Sequence, residues 1–143
     1  MDLKDKVVVI TGGANGIGEA VAKDLAKEGM KISIGDISEE NIERVVKEIK
    51  KAGGEAIGTV CNVAEESQVA ELMDRTVKEF GAINVVFPSA GIIRDGLMLS
   101  TDRETGKVVK KMSLDAFKLV VDVNLTGTFL TIREAAERMI NGG

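Results

Sequence analysis

The reading of this chain turns on Val7-Val8-Val9-Ile10-Thr11-Gly12-Gly13-Ala14-Asn15-Gly16-Ile17-Gly18. Its apolar, β-branched start predicts a strand buried on both faces, as in a parallel sheet. A glycine-rich turn follows, and then an amphipathic helix from about Ile17 to Lys27 with Val21 and Leu25 on one face. Strand, turn and helix open a βαβ unit. The helix N-terminus presents unpaired N–H groups and a partial positive charge above the turn, where a pyrophosphate fits. Glycine suits this place because a Cβ would hold a phosphate off the backbone and because φ above zero favours glycine. The spacing is G-x-x-x-G-x-G on Gly12, Gly16 and Gly18, not the commoner G-x-G-x-x-G. A tight strand-to-helix turn without a ligand would carry the same glycines.

The next acidic residue favours the ligand. Met30 to Gly35 reads as a second strand, and Asp36 stands at its end, followed by Ile37. An acid at that remove from the glycines can accept hydrogen bonds from both hydroxyls of an adenosine ribose and repels a 2′-phosphate, which selects NAD over NADP. Asp36 could instead serve the turn before the helix that Ser38 caps.

Gly29 stops the first helix. Ile42, Val45, Val46 and Ile49 give the second a helical stripe that ends at Gly53-Gly54. A third strand is predicted from Glu55 to Cys61. A third helix carries Val69, Leu72, Met73, Val77 and Phe80 and closes at Gly81, and a fourth strand covers Ile83 to Phe87. This alternation predicts an α/β fold, a doubly wound parallel sheet in one domain. The ligand then lies across the carboxyl ends of the strands, at Gly12, at Asp36-Ile37, at Asn62-Val63 and at Ser89-Ala90-Gly91. Asn62 suits an adenine edge or a turn equally well. Ala90 and Gly91 are small enough for close approach to a ribose, or simply form a loop. Leu97 to Ser100 and Lys107 to Lys110 could pair as a hairpin, either beside a substrate cleft or as an inert insertion. Ser113 caps a long helix on which Phe117, Val120, Val121, Asn124, Leu125 and Thr128 share a face. Asn124 on that apolar stripe needs a partner, and a neighbouring loop could supply one.

Composition narrows the function classes. The 143 residues carry a net charge of −4 and no block of basic residues, which argues against a nucleic-acid surface. No apolar run is long enough to span a bilayer, and Met1 to Lys6 lacks the apolar core of a signal peptide. The single cysteine, Cys61, forms no internal disulfide and reads as a small buried hydrophobe, so a cytoplasmic location is expected. With no histidine and with its carboxylates spread over helix faces, the chain is expected to bind no metal.

Taken together, TGGANGIG, Asp36, Asn62-Val63, Ala90-Gly91 and VDVNLTGTF resemble the N-terminal half of a short-chain dehydrogenase/reductase, across essentially the whole chain. The resemblance implies hydride transfer between a nicotinamide dinucleotide and a secondary alcohol or ketone. By position, Gly12, Asn15, Gly16, Ile17 and Gly18 would hold the pyrophosphate and Asp36 the adenosine ribose. Asn62 and Val63 would flank the adenine, and Ala90 and Gly91 would approach the nearer ribose. Asn124 would be the catalytic-tetrad Asn, its helix distortion supporting a water-linked proton relay. Asn15 stands where phosphate-preferring members tend to carry Arg or Lys, which again favours NAD. Members are commonly homodimers or homotetramers.

Two positions depart from the family pattern. Asn62 replaces the usual Asp, and Pro88-Ser89 replaces Asn-Asn ahead of Ala90-Gly91, which removes a backbone donor. The family's Ser, Tyr and Lys are not recognisable here, and the chain has no Tyr. The expectation is therefore a partial dinucleotide-binding domain of a longer polypeptide, its fourth strand an exposed edge. A non-catalytic dinucleotide-binding or interaction module of this length is the alternative.

Overall fold

A computed structural model describes residues 2–142. Four parallel strands, β1 (Val7–Thr11), β2 (Lys31–Asp36), β3 (Glu55–Val60) and β4 (Val85–Pro88), form one sheet in the order β3-β2-β1-β4. The chain steps outward from β1 to β3 and then returns to the other side of β1. That reversal is the switch point at which an open α/β sheet leaves a crevice at its strand ends.

The side-chain period of a strand explains the two layers. Val8 and Ile10 point to one face and pack with Ala22, Ile42, Val45 and Ile49 of helices α1 (Gly16–Lys27) and α2 (Glu39–Lys51). Val9 points to the other and packs with Val69, Leu72 and Met73 of α3 (Glu66–Phe80) and with Leu130 and Ala135 of α5 (Gly127–Gly142). All five residues of β1 are buried, as expected for a central strand covered on both faces. Ser33 of β2 is buried and satisfied, because its hydroxyl shares a hydrogen bond of 2.6 Å with Thr76 of α3. Ser38 caps α2, accepting from the N–H of Asn41, and α3 closes on Gly81 at a φ of 84°.

The fourth strand differs from its expected span. It begins at Val85 rather than Ile83 and takes in Pro88. Ile83 goes to the core, and the Asn84 side chain accepts a hydrogen bond from the Val7 N–H. Proline is tolerated at the C-terminal end of this edge strand because its neighbour does the donating. Asn84 N–H donates to Val7 O, and two-residue steps along the ladder bring position 88 to Thr11 O, but Ser89 N–H makes that bond at 3.0 Å.

Beyond β4, β5 (Leu99–Thr101) and β6 (Val108–Lys111) pair as an antiparallel hairpin with all of β6 exposed. Ser113 caps α4 (Leu114–Val121), accepting from the Ala116 N–H. The expected single helix and its apolar face are not continuous. A π-helical turn over Asp122–Thr126 separates α4 from α5 and rotates the faces against each other. Phe117 and Leu125 are exposed, whereas Val120 and Val121 are half-buried and Val123 packs against the core cluster around Val9. No described helix is long and apolar enough to cross a membrane.

Candidate functional site

A cleft of about 490 Å³ opens at the carboxyl ends of the strands. Every strand end singled out in the sequence contributes to its lining: Gly12, Asn15, Ile17 and Gly18; Asp36 and Ile37; Asn62 and Val63; Ser89, Ala90 and Gly91.

Its floor is the glycine loop, where three glycines do three different things. Gly12, at a φ of 67°, lies under the β4 loop, and a Cβ there would stand 2.7 Å from Ala90 Cα. Gly18 closes the loop on itself, since its Cβ would meet the Gly12 carbonyl oxygen at 2.1 Å. Gly16 has a φ of 53°, and a Cβ on it would meet nothing within 4 Å, so the space above it is open. The first bond of α1 runs from Glu19 N–H to the Asn15 carbonyl. The amides of Gly16, Ile17 and Gly18 thus have no partner among the described residues, as helix geometry requires. The Asn15 side chain does not cap the helix. Open amides, a dipole end and the space a Cβ would fill make a cradle that fits a pyrophosphate.

Asp36 is buried at the end of β2, and both its oxygens are partly engaged. Oδ2 accepts the Ala14 N–H at 3.1 Å and Oδ1 the Ser38 N–H at 3.2 Å. The turn role and the cleft position coexist, because each carboxylate oxygen keeps a second acceptor site. Asn62 also serves its own turn, accepting the Ala64 N–H on Oδ1, while its backbone N–H donates to Gln68 Oε1. Val63 lines the cleft but is mostly a packing residue, seated on Gly127 where a Cβ would come within 2.6 Å of Val63 Cγ2.

At the far end, the Asn124 amide is bonded to both backbone groups of Ile92, and its Oδ1 lies 3.4 Å from where a Gly91 Cβ would be. The partner loop expected for Asn124 is thus the one leaving β4. Asn124 sits inside the π-helical turn, which Thr128 supports by donating its hydroxyl to the Asn124 carbonyl.

Several lining residues carry no sequence signal: Ile92, Arg94, Leu119 and Val123 are brought in by the fold. Cys61 also faces the cleft, and burial pushes its thiol up to about 11, aided by the nearby Glu71 and Asp36 carboxylates. That thiol stays protonated and unreactive at neutral pH. The hairpin contributes no lining residue, and among the described residues no group of three or more His, Cys, Asp or Glu could hold a metal ion.

A family model described as short chain dehydrogenase matches residues 6–143. The chain belongs to the short-chain dehydrogenase family. It is 35% identical over 140 residues to the 3-oxoacyl-[acyl-carrier-protein] reductase FabG of Thermotoga maritima, covering 98% of this chain and 52% of that protein. It is 34% identical over 142 residues to a 2,5-dichloro-2,5-cyclohexadiene-1,4-diol dehydrogenase of Sphingobium indicum, covering 99% of this chain and 52% of the relative. A crystal structure of a short-chain type dehydrogenase/reductase from Mycobacterium marinum superposes with a TM-score of 0.84 at 31% identity, over 98% of this chain and 52% of that one. The chain spans about half the length of the curated relatives it matches. Short-chain dehydrogenases are oxidoreductases that use nicotinamide dinucleotides, and the glycine cradle of this chain fits such a group.

Proposed function

We propose that this chain is the cofactor-binding part of an NAD-dependent oxidoreductase that moves a hydride between nicotinamide and a secondary alcohol or ketone. The observation that carries the reading is that the glycine loop, through Gly12, Asn15, Ile17 and Gly18, and Asp36 line one cleft. The amides of Gly16, Ile17 and Gly18 hold the pyrophosphate, and Asp36 takes the adenosine ribose hydroxyls on its free acceptor sites. Ile37 and Asn62 lie beside the adenine, and Ala90 and Gly91 leave room for the second ribose. The bound nicotinamide supplies or accepts the hydride.

NAD is favoured over NADP because the ribose end presents a buried carboxylate and because Asn15 and Ile37 bring no positive charge to it. Asn124 orients the proton-transfer end: from within the π-helical turn it holds both backbone groups of Ile92. These 143 residues include no Tyr, so no proton donor of that type is assigned to them. We further propose a homodimer or homotetramer in the cytoplasm, which suits the exposed Phe117, Leu125 and Phe129 on the α4–α5 face. A reductase and a diol dehydrogenase match at nearly equal identity, so the substrate is proposed only as a small alcohol or ketone.

Titration with NADH and NADPH tests the reading directly. The chain has no Trp or Tyr, so the nicotinamide's own fluorescence reports binding without protein background. Tighter binding of NADH than NADPH, with the preference lost in Asp36→Ala, is expected. Equal affinities in the unaltered protein would overturn the NAD assignment, and no binding of either would leave the alternative of a non-dinucleotide interaction module.

A further inference from the structure

Arg44 of α2 reaches the glycine loop at Ala14, next to Asp36, and both its Nη groups are engaged there. Its guanidinium makes a two-pronged pair with Glu19 of α1, Nη1 to Oε1 at 2.8 Å and Nη2 to Oε2 at 2.7 Å. The same Nη2 donates to the Ala14 carbonyl at 3.1 Å. Ala14 is the residue whose N–H is held by Asp36. One residue of the glycine loop therefore separates the carboxylate that marks the ribose from a permanently charged guanidinium.

A guanidinium near that ribose is the group that accommodates a 2′-phosphate, because its planar fork matches phosphate oxygens. Here the fork is filled by a carboxylate. Lys23 is tied down in the same way, to Glu19 at 2.6 Å and to Glu48 at 2.5 Å. Two cations and two anions leave this cluster electrically neutral. Glu19 is its least exposed carboxylate, at 17% side-chain exposure against 46% for Glu48.

We propose that Glu19 is an internal counter-ion that withholds Arg44 from the adenosine ribose, and so acts as a specificity-determining residue against a 2′-phosphate alongside Asp36. This rests on the cofactor reading above. Asp36 excludes the phosphate by repulsion, and Glu19 excludes it by occupying the guanidinium that shares Ala14 with Asp36.

The test compares NADH and NADPH dissociation constants, read by nicotinamide fluorescence, for the full chain and its variants. Arg44 also approaches Glu48 at 3.4 Å, so both carboxylates are replaced to prevent recapture. Going from Asp36→Ala to the Asp36→Ala, Glu19→Gln, Glu48→Gln triple variant should improve NADPH relative to NADH roughly tenfold, the scale of one or two new charge-assisted hydrogen bonds. Adding Arg44→Met should remove the gain. An unchanged ratio in the triple variant, or a gain that survives Arg44→Met, would overturn the proposal while leaving the cofactor site intact. Should the triple variant fail to fold, the Asp36→Ala, Glu19→Gln double variant must shift the ratio in the same direction by a smaller factor, because Glu48 approaches only Nη1 of the fork, and an unchanged ratio there overturns the proposal equally. If the unaltered protein binds neither dinucleotide, the cofactor reading falls and this one with it.

Discussion

Asn124 and Ile92 are joined by a reciprocal pair of hydrogen bonds: Asn124 Oδ1 accepts the Ile92 N–H at 2.8 Å, and Asn124 Nδ2 donates to the Ile92 carbonyl at 2.9 Å. The side-chain amide thus copies one rung of a β-ladder and ties the loop after β4 to the π-helical turn. Asn124 is exposed, so water can replace either bond. Asn124→Ala is expected to lower global stability by only about 1 kcal/mol. The local effect is larger: the Ile92 amide should exchange with deuterium markedly faster, as hydrogen-exchange mass spectrometry or NMR would show. Unchanged exchange at Ile92 would mean that the loop is held by something else.

Glycine substitutions in the loop should separate by mechanism. Gly18→Ala drives a Cβ to 2.1 Å from a backbone oxygen, so the loop must move, at a cost of about 2 kcal/mol or more. Gly16→Ala meets no atom within 4 Å and bears only the strain of a φ of 53°, about 1 kcal/mol. Urea denaturation should therefore rank Gly18→Ala below Gly16→Ala in midpoint. Both should weaken NADH binding, Gly16→Ala because its methyl fills the open cradle.

Acid should unfold the protein partly through Glu19. Hydrogen bonds from Arg44 first and Lys23 second hold its carboxyl down to about 2 from an ordinary 4.5. A depressed folded-state value means that the stabilisation is complete above the unfolded value near 4.5 and is lost as pH falls toward 2. Glu134 of α5, bonded by Arg133 and Arg138, is shifted the same way and adds to the loss. Urea midpoints measured from pH 6 down to about pH 2.5 should fall most steeply below pH 4.5. Glu19→Gln should flatten that fall, and an equally steep fall in the variant would place the acid sensitivity elsewhere.

Cys61 should be chemically silent in the folded state. It is 2% exposed, and burial raises its thiol to about 11. A thiol-exchange reagent at pH 8 should label it only on the timescale of opening and label it at once in denaturant. Rapid labelling of the native protein would show that the cleft floor is more open than its packing implies.

The elements and the glycine loop were legible in the sequence because their causes are local. Period-2 and period-3.6 apolar patterns, the Ser38 and Ser113 caps and the stop at Gly81 act over a few residues. They matched the structure to within one or two positions, except that the helix after Ser113 is broken by the π-helical turn at Asp122–Thr126. The strand-end residues were legible too, because an alternating strand and helix order leaves few ways to place a ligand.

How distant residues hold those ends follows from packing across the fold. Asp36 and Arg44 grip opposite sides of Ala14 from 22 and 30 residues away. Asn124 finds Ile92 across 32 residues, and Asn84 finds the Val7 N–H across 77. No pattern in the chain announces such pairs. Each depends on the register of one strand or helix against another, and a shift of one residue would turn either side chain to a different face. The same holds for the π-helical turn: the sequence placed Asn124 on an apolar stripe, but the fold broke the stripe and left Asn124 facing the loop it binds.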